Sequence, residues 1–93
     1  MKINLTPRFK DELQEIVDFI ALDSIQRALK FYDELLQKIN NLKENPYIYR
    51  KRESLNNENI RELIFKGYTI PYFIDKEKKQ IIILGIFNRN LWD

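Results

Sequence analysis

Three apolar runs in the last third of this 93-residue chain, between Ile60 and Arg89, restrict its fold more than any other feature. They read IRELIF, YTIPYFID and QIIILGIF, divided by Lys66-Gly67 and by a charged tip running from Asp75 to Lys79. Runs rich in Ile, Phe and Tyr, bounded by turn residues, predict a β-meander. The two-residue link suits a tight hairpin, since Gly67 can take a positive φ without strain. In Tyr68–Asp75, alternation assigns Tyr68, Ile70, Tyr72 and Ile74 to one face and Thr69, Pro71 and Phe73 to the other. Pro71 cannot donate to a ladder, so a bulge or a locally unpaired position is expected there. Gln80 to Phe87 is apolar nearly throughout, which predicts a strand covered on both faces.

The remainder of the chain supplies what would cover such a sheet. Lys2 to Leu5 alternates polar and apolar residues, as a short strand would. Thr6-Pro7 resembles an N-cap followed by proline at the first helical position. Phe9, Leu13, Ile16, Val17 and Ile20 then form a helical stripe. After a very short link, Asp23 or Ser24 caps a second helix with Ile25, Ala28, Tyr32, Leu35, Ile39 and Leu42 at near-heptad spacing. Asn45-Pro46 ends it, because the residue before proline is pushed out of the α region. So short a link forces an αα-hairpin. Residues 45–59 lack either period and predict a long loop of the kind that often carries function. The expected fold is a single α+β domain over residues 1–93, a two-layer β-α-α-β-β-β arrangement. Its helical hairpin packs on one face of a small, mainly antiparallel sheet.

Composition removes many chemistries. The chain has no His and no Cys, so neither a Ser-His nor a Cys-His nucleophile pair can be built, and the usual zinc ligands are missing. No GxxxxGK[ST] or GxGxxG occurs, and no metal or cofactor site is predicted. The opening MKINLTPRF has no apolar signal region and no run is long enough to span a bilayer, which predicts a cytoplasmic protein without a membrane partner. Residues 1–42 carry net −1 and residues 43–93 net +3.

The groups that remain suit phosphodiester chemistry. Arginine offers a fixed fork of donors to phosphate, and a positioned cation stabilises charge growing on a transferring phosphoryl group. The 2′-OH of RNA can itself be the nucleophile, leaving the protein to supply a base. The candidate catalytic residues are Arg61, at the start of the first meander strand, Arg89, just past the last, and Glu53 as the base, with Glu58 or a lysine as substitutes. Candidate substrate-binding residues are Arg50, Lys51 and Arg52, beside Tyr47 and Tyr49, together with Lys66 and Tyr68.

The helix pair (FKDELQEIVDFIALDS…ALKFYDELLQKINNLKENP), the segment IRELIFKGYTIPYFID and the terminal IIILGIFNRN together resemble the RelE/ParE superfamily of toxins from type II toxin–antitoxin modules. The likeness covers nearly the whole chain and lies in the order and spacing of its elements, with no single diagnostic motif. It implies a small toxin that inhibits growth or stabilises a plasmid, silenced by a cognate antitoxin that adds a helix or a strand. RelE-like members cut mRNA in the ribosomal A site, whereas ParE-like members inhibit DNA gyrase. Arg61 matches the family's arginine at this strand, and Arg50-Lys51-Arg52 falls where RelE-like members have basic loop residues. The expectation is therefore a metal-independent endoribonuclease acting on RNA, with or without the ribosome, and the alternative is a non-enzymatic gyrase inhibitor. Two departures bear on the choice: many relatives have His where Asn88 stands, and the chain lacks the C-terminal tyrosine of some RelE-like nucleases.

Overall fold

A computed structural model describes residues 1–49, 51 and 57–88. Strand β1 (Lys2–Leu5) leads into helices α1 (Pro7–Asp23) and α2 (Ile25–Asn40), with a short 3-10 turn at Asn41–Lys43. Strands β2 (Ile60–Phe65), β3 (Tyr68–Asp75), β4 (Gln80–Ile83) and β5 (Phe87–Asn88) follow. The sheet order is β1-β4-β3-β2, with β5 also on β3. β2, β3, β4 and β5 pair antiparallel, and β1 runs parallel to β4. The two-layer α+β arrangement is as the sequence predicts.

Local chemistry sets the ends of the elements. The Thr6 hydroxyl accepts from the Phe9 amide at 3.1 Å and caps α1, with Pro7 in the first helical turn. Ser24 caps α2 in the same way through the Arg27 amide, at 3.2 Å. One residue therefore ends one helix and starts the next, so the pair must fold back as a hairpin. Lys66 and Gly67 both have positive φ (48° and 85°), the signature of the type I′ turn that matches strand twist.

Leu63, Phe65, Ile70, Tyr72, Ile74, Ile81 and Ile83 face the helices and pack against Phe9, Leu13, Phe31, Leu35 and Ile39. Each such side chain contributes roughly 1.5–3 kcal/mol on burial, far more than any exposed ion pair. The opposite face carries Ile60, Glu62, Ile64, Pro71, Phe73 and Ile82, all half-buried. Gln80 to Phe87 is thus not one strand buried on both sides: Ile81 and Ile83 are buried, while Ile82 and Leu84 are half-exposed.

That segment is also broken, at the position opposite Pro71. Tyr72 stands opposite Ile83 and Thr69 opposite Phe87. Two residues of β3 (Ile70, Pro71) are therefore matched by three on the other side (Leu84, Gly85, Ile86), which makes a β-bulge. Leu84 donates to the Pro71 carbonyl at 2.9 Å, but Pro71 has no N–H to return. The N-cap of α1 and its second turn reach this break. The Thr6 hydroxyl donates to the carbonyl of Ile83 at 2.7 Å and approaches that of Leu84 at 3.4 Å, and the Ile86 amide donates to Glu12 Oε1 at 3.1 Å. Gly85 makes room for this contact, since a Cβ there would lie 2.6 Å from Glu12 Oε1.

Gly85→Ala should therefore displace the Glu12 carboxylate rather than the backbone, costing about 1–2 kcal/mol in chemical denaturation, the scale of one charge-assisted hydrogen bond. In a Glu12→Ala background the same substitution should cost much less. Equal costs in both backgrounds would show that the contact contributes nothing to stability.

Candidate functional site

Arg61 shares the strand parity of Leu63 and Phe65 and pairs with Tyr72 on β3, so it lies on the helix side of the sheet. There it meets the segment that descends from α2. Its Nε donates to the Glu58 carbonyl at 2.9 Å and its Nη1 to the Tyr49 carbonyl at 3.1 Å. The guanidinium also lies 5.1 Å from the centroid of the Tyr47 ring, and Lys76 Nζ lies 5.7 Å from the same centroid. Lys51, exposed, pairs with Arg61 through an isolated antiparallel bridge. Below them Tyr72, fully buried, donates its hydroxyl to the Pro46 carbonyl at 2.8 Å. Burial pushes the Tyr72 phenol well above its ordinary value, against the opposing pull of the Arg61 charge. Arg61 and Tyr72 together fasten the long connection to the sheet at both of its ends.

Lys66 and Tyr68 lie at the other end of the β2–β3 hairpin. Five residues of strand at ~3.3 Å each separate the Lys66 backbone from that of Arg61 by roughly 16 Å. Lys66 Nζ pairs with Glu34 Oε2 of α2 at 3.0 Å and sits 5.3 Å from the Phe65 ring centroid. The Lys66 hydrogen bond and charge, with Lys30 helping, hold the Glu34 carboxyl below its ordinary range. Tyr68 packs edge-on to Phe31, with centroids 5.6 Å apart, and stands opposite Asn88. It forms one wall of an open groove of about 430 Å³ whose other walls include Glu12, Ile16, Phe19 and Phe87.

Of the residues singled out in the sequence, the structure thus brings Arg61 and Lys51 together and sets Lys66 and Tyr68 apart from them. Arg50, Arg52, Glu53 and Arg89 lie outside the described residues. The Arg61 guanidinium keeps donors beyond the two it gives to carbonyls, so it can still meet an anion, but only at the margin of the sheet where the long connection crosses. Sequence reasoning missed the Glu12–Ile86 clamp and the Glu34–Lys66 pair. A glycine inside a strand pattern was the available signal for the first. The second joins residues far apart in sequence and gave none.

The model of the ParE toxin of the type II toxin–antitoxin system, parDE, matches residues 3–90. This chain belongs to that family. No curated protein sequence matches it. Among solved structures, this ParE-family chain is similar to one described as the chromosomal ParDE TA system from P. aeruginosa. The two share 22% identity and a TM-score of 0.75 over 95% of each chain, a likeness of fold.

Two substitutions separate anchoring from chemistry. Arg61→Ala removes two hydrogen bonds to loop carbonyls and should lower stability by about 1–2 kcal/mol while speeding amide exchange across residues 44–49 and 57–59. An unchanged melting temperature and unchanged exchange would free Arg61 of the anchoring role. Tyr72→Phe leaves the Pro46 carbonyl unpaired, at a cost of about 1 kcal/mol near neutral pH. Because the native phenol titrates above its unfolded value, its stabilising contribution is complete below the unfolded value of 10.0 and is lost as pH rises beyond it. The wild-type chain should therefore lose stability more steeply than the phenylalanine variant above about pH 10. Parallel pH profiles would exclude this linkage.

Proposed function

We propose that this toxin inhibits DNA gyrase by binding it, without a chemical step of its own, and that a cognate antitoxin holds it inactive in the cytoplasm. The observation that carries this reading is that Arg61 and Lys66 are each engaged by protein partners, at opposite ends of the β2–β3 hairpin. Phosphodiester cleavage needs positive groups converging on one phosphate. Here Arg61 is bonded to the carbonyls of Tyr49 and Glu58, while Lys66 is paired with Glu34 at the far end of the hairpin. The helix-free face of the sheet offers Ile60, Ile64, Phe73 and Ile82 rather than a cationic hollow. Membership of the ParE family supports the same target. The groove between α1 and Tyr68, apolar along Ile16 and Phe19 with Glu12 and Glu15 in its lining, suits an antitoxin helix carrying a basic residue.

One feature favours the other target. The Tyr47 ring lies against both Arg61 and Lys76, with exposed Lys51 beside them, a basic and aromatic surface of the kind that binds single-stranded RNA. Both readings are tested in one experiment with the purified chain. Gyrase supercoiling should fall with increasing protein while RNA, with and without ribosomes and in EDTA, stays intact. RNA cleavage with gyrase unaffected would overturn the proposal. In that event Arg61→Ala should lower cleavage by about 10²–10³-fold if Arg61 stabilises the transition state.

A further inference from the structure

Arg8, Arg27, Lys30 and Lys66 are ion-paired to carboxylates. Among the described residues Arg61 and Lys76 have no such partner: they lie 5.1 and 5.7 Å from the centroid of the Tyr47 ring. A carboxylate neutralises a cation, whereas a ring holds it in place and leaves its charge available. Exposed Lys51 adjoins Arg61 through their backbone bridge. The sheet adds further cations to this cluster, because β1 and β4 start, and β3 ends, at the end where β2 begins. Lys2 therefore stands beside Lys79, whose carbonyl accepts from the Lys2 amide at 3.1 Å. Lys76 and Lys78 belong to the same tip, and all four lysines are exposed. From Lys2 to Arg61 the row crosses three strand spacings of ~4.8 Å, roughly 14 Å. Acids at this end are fewer. The Asp75 carboxylate accepts from the Lys78 amide at 3.2 Å and the Gln80 side chain at 3.3 Å, and Glu58, Glu62 and Glu77 temper the charge without reversing it.

We propose that this end of the sheet binds the phosphate backbone of double-stranded DNA, without cutting it and without reading its sequence. A row of positive charges suits a polymer with one negative charge per ~1.7 Å of duplex axis better than a small anion, which can meet only one or two of them. Arg61 contributes the donors it does not give to the Tyr49 and Glu58 carbonyls, in a fork that matches phosphate oxygens. Since Arg61 and Lys76 already rest on Tyr47, less side-chain freedom is lost when they meet an anion. The groove beside Tyr68 lies at the other end of the β2–β3 hairpin, so the two surfaces can be occupied separately. The role of this surface rests on the gyrase reading: gyrase works on DNA, and a toxin that touches both the enzyme and its DNA is held by both. The binding itself does not depend on that reading.

Fluorescence anisotropy of a labelled DNA duplex of about 20 base pairs, titrated with the purified chain in the absence of gyrase, tests this. The expected dissociation constant is about 1–100 μM at about 50 mM salt, the range of sequence-independent binding. With about three phosphates neutralised, the logarithm of the affinity should fall with that of salt at a slope of about −2.7. Lys76→Glu and Lys51→Glu should each weaken binding about tenfold or more, and Lys76→Ala should reduce the slope by about one. Lys10→Glu, the same charge change on α1, should leave the affinity within about twofold. All three positions are exposed, and unchanged melting temperatures will show that the variants fold. No binding at about 500 μM overturns the proposal, as does an equal loss in Lys10→Glu and Lys76→Glu, which net charge alone would produce. An RNA duplex of the same sequence bound more than about tenfold tighter overturns it and assigns the surface to RNA. Polyglutamate bound as tightly as DNA overturns it in favour of an acidic protein surface. Because gyrase is absent, a failure here leaves the proposed target standing, and a failure to inhibit gyrase leaves this binding standing.

Discussion

A proline in the second strand of the meander governs how the two layers of this protein meet. Pro71 accepts a hydrogen bond from Leu84 and has none to give, so the neighbouring strand cannot continue in register past it. The chain answers with an extra residue, and the groups left over would be costly if buried without partners. Glu12 supplies a partner for one of them, the Ile86 amide, while the Thr6 hydroxyl joins the Thr6 amide on the Ile83 carbonyl beside the bulge. The hydroxyl that caps the helix thus also docks it, and Gly85 is bare because the Glu12 carboxylate occupies the space a methyl group would need.

The same bulge divides the surface. Above it, β5 returns to pair with the start of β3, and α1, Tyr68 and Phe87 enclose an apolar groove with acidic residues in its lining. Below it, β3 continues towards Tyr72 and Ile74, where the long connection from α2 is tied down. The two ends of the β2–β3 hairpin therefore have different chemistries. At the turn, Lys66 is held to α2 by Glu34. At the open end, Arg61 is held to backbone carbonyls with an aromatic ring beside it. An arginine so engaged organises a loop. The proposal that this toxin works by contact rests on that engagement.

Much of the fold could be read from residue order. The helix caps at Thr6 and Ser24, the I′ turn at Lys66-Gly67 and the alternation along β3 are local consequences of side-chain chemistry, and each lies where expected. Pro71 announced a bulge or an unpaired position in its own strand, whereas the extra residue lies on the strand opposite it. Gln80 to Phe87 misled, because unbroken hydrophobicity cannot distinguish a strand covered on both sides from one that alternates and then breaks. The candidate site was less legible. Arg61 was singled out for the anions it could bind, but the atoms it contacts are carbonyls that the sequence gives no reason to place beside it.

Sequence alone determined the element order as far as β4, the hairpin of helices and the exclusion of imidazole and thiol chemistry, since these depend on local propensity and on which residues are present at all. Only the tertiary structure decided that β1 lies parallel beside β4, that Glu12 reaches the bulge, and that Arg61 and Lys66 face different neighbours. Those outcomes depend on how separate segments meet, and a hydrogen bond between residues 74 positions apart leaves no periodic trace in either segment.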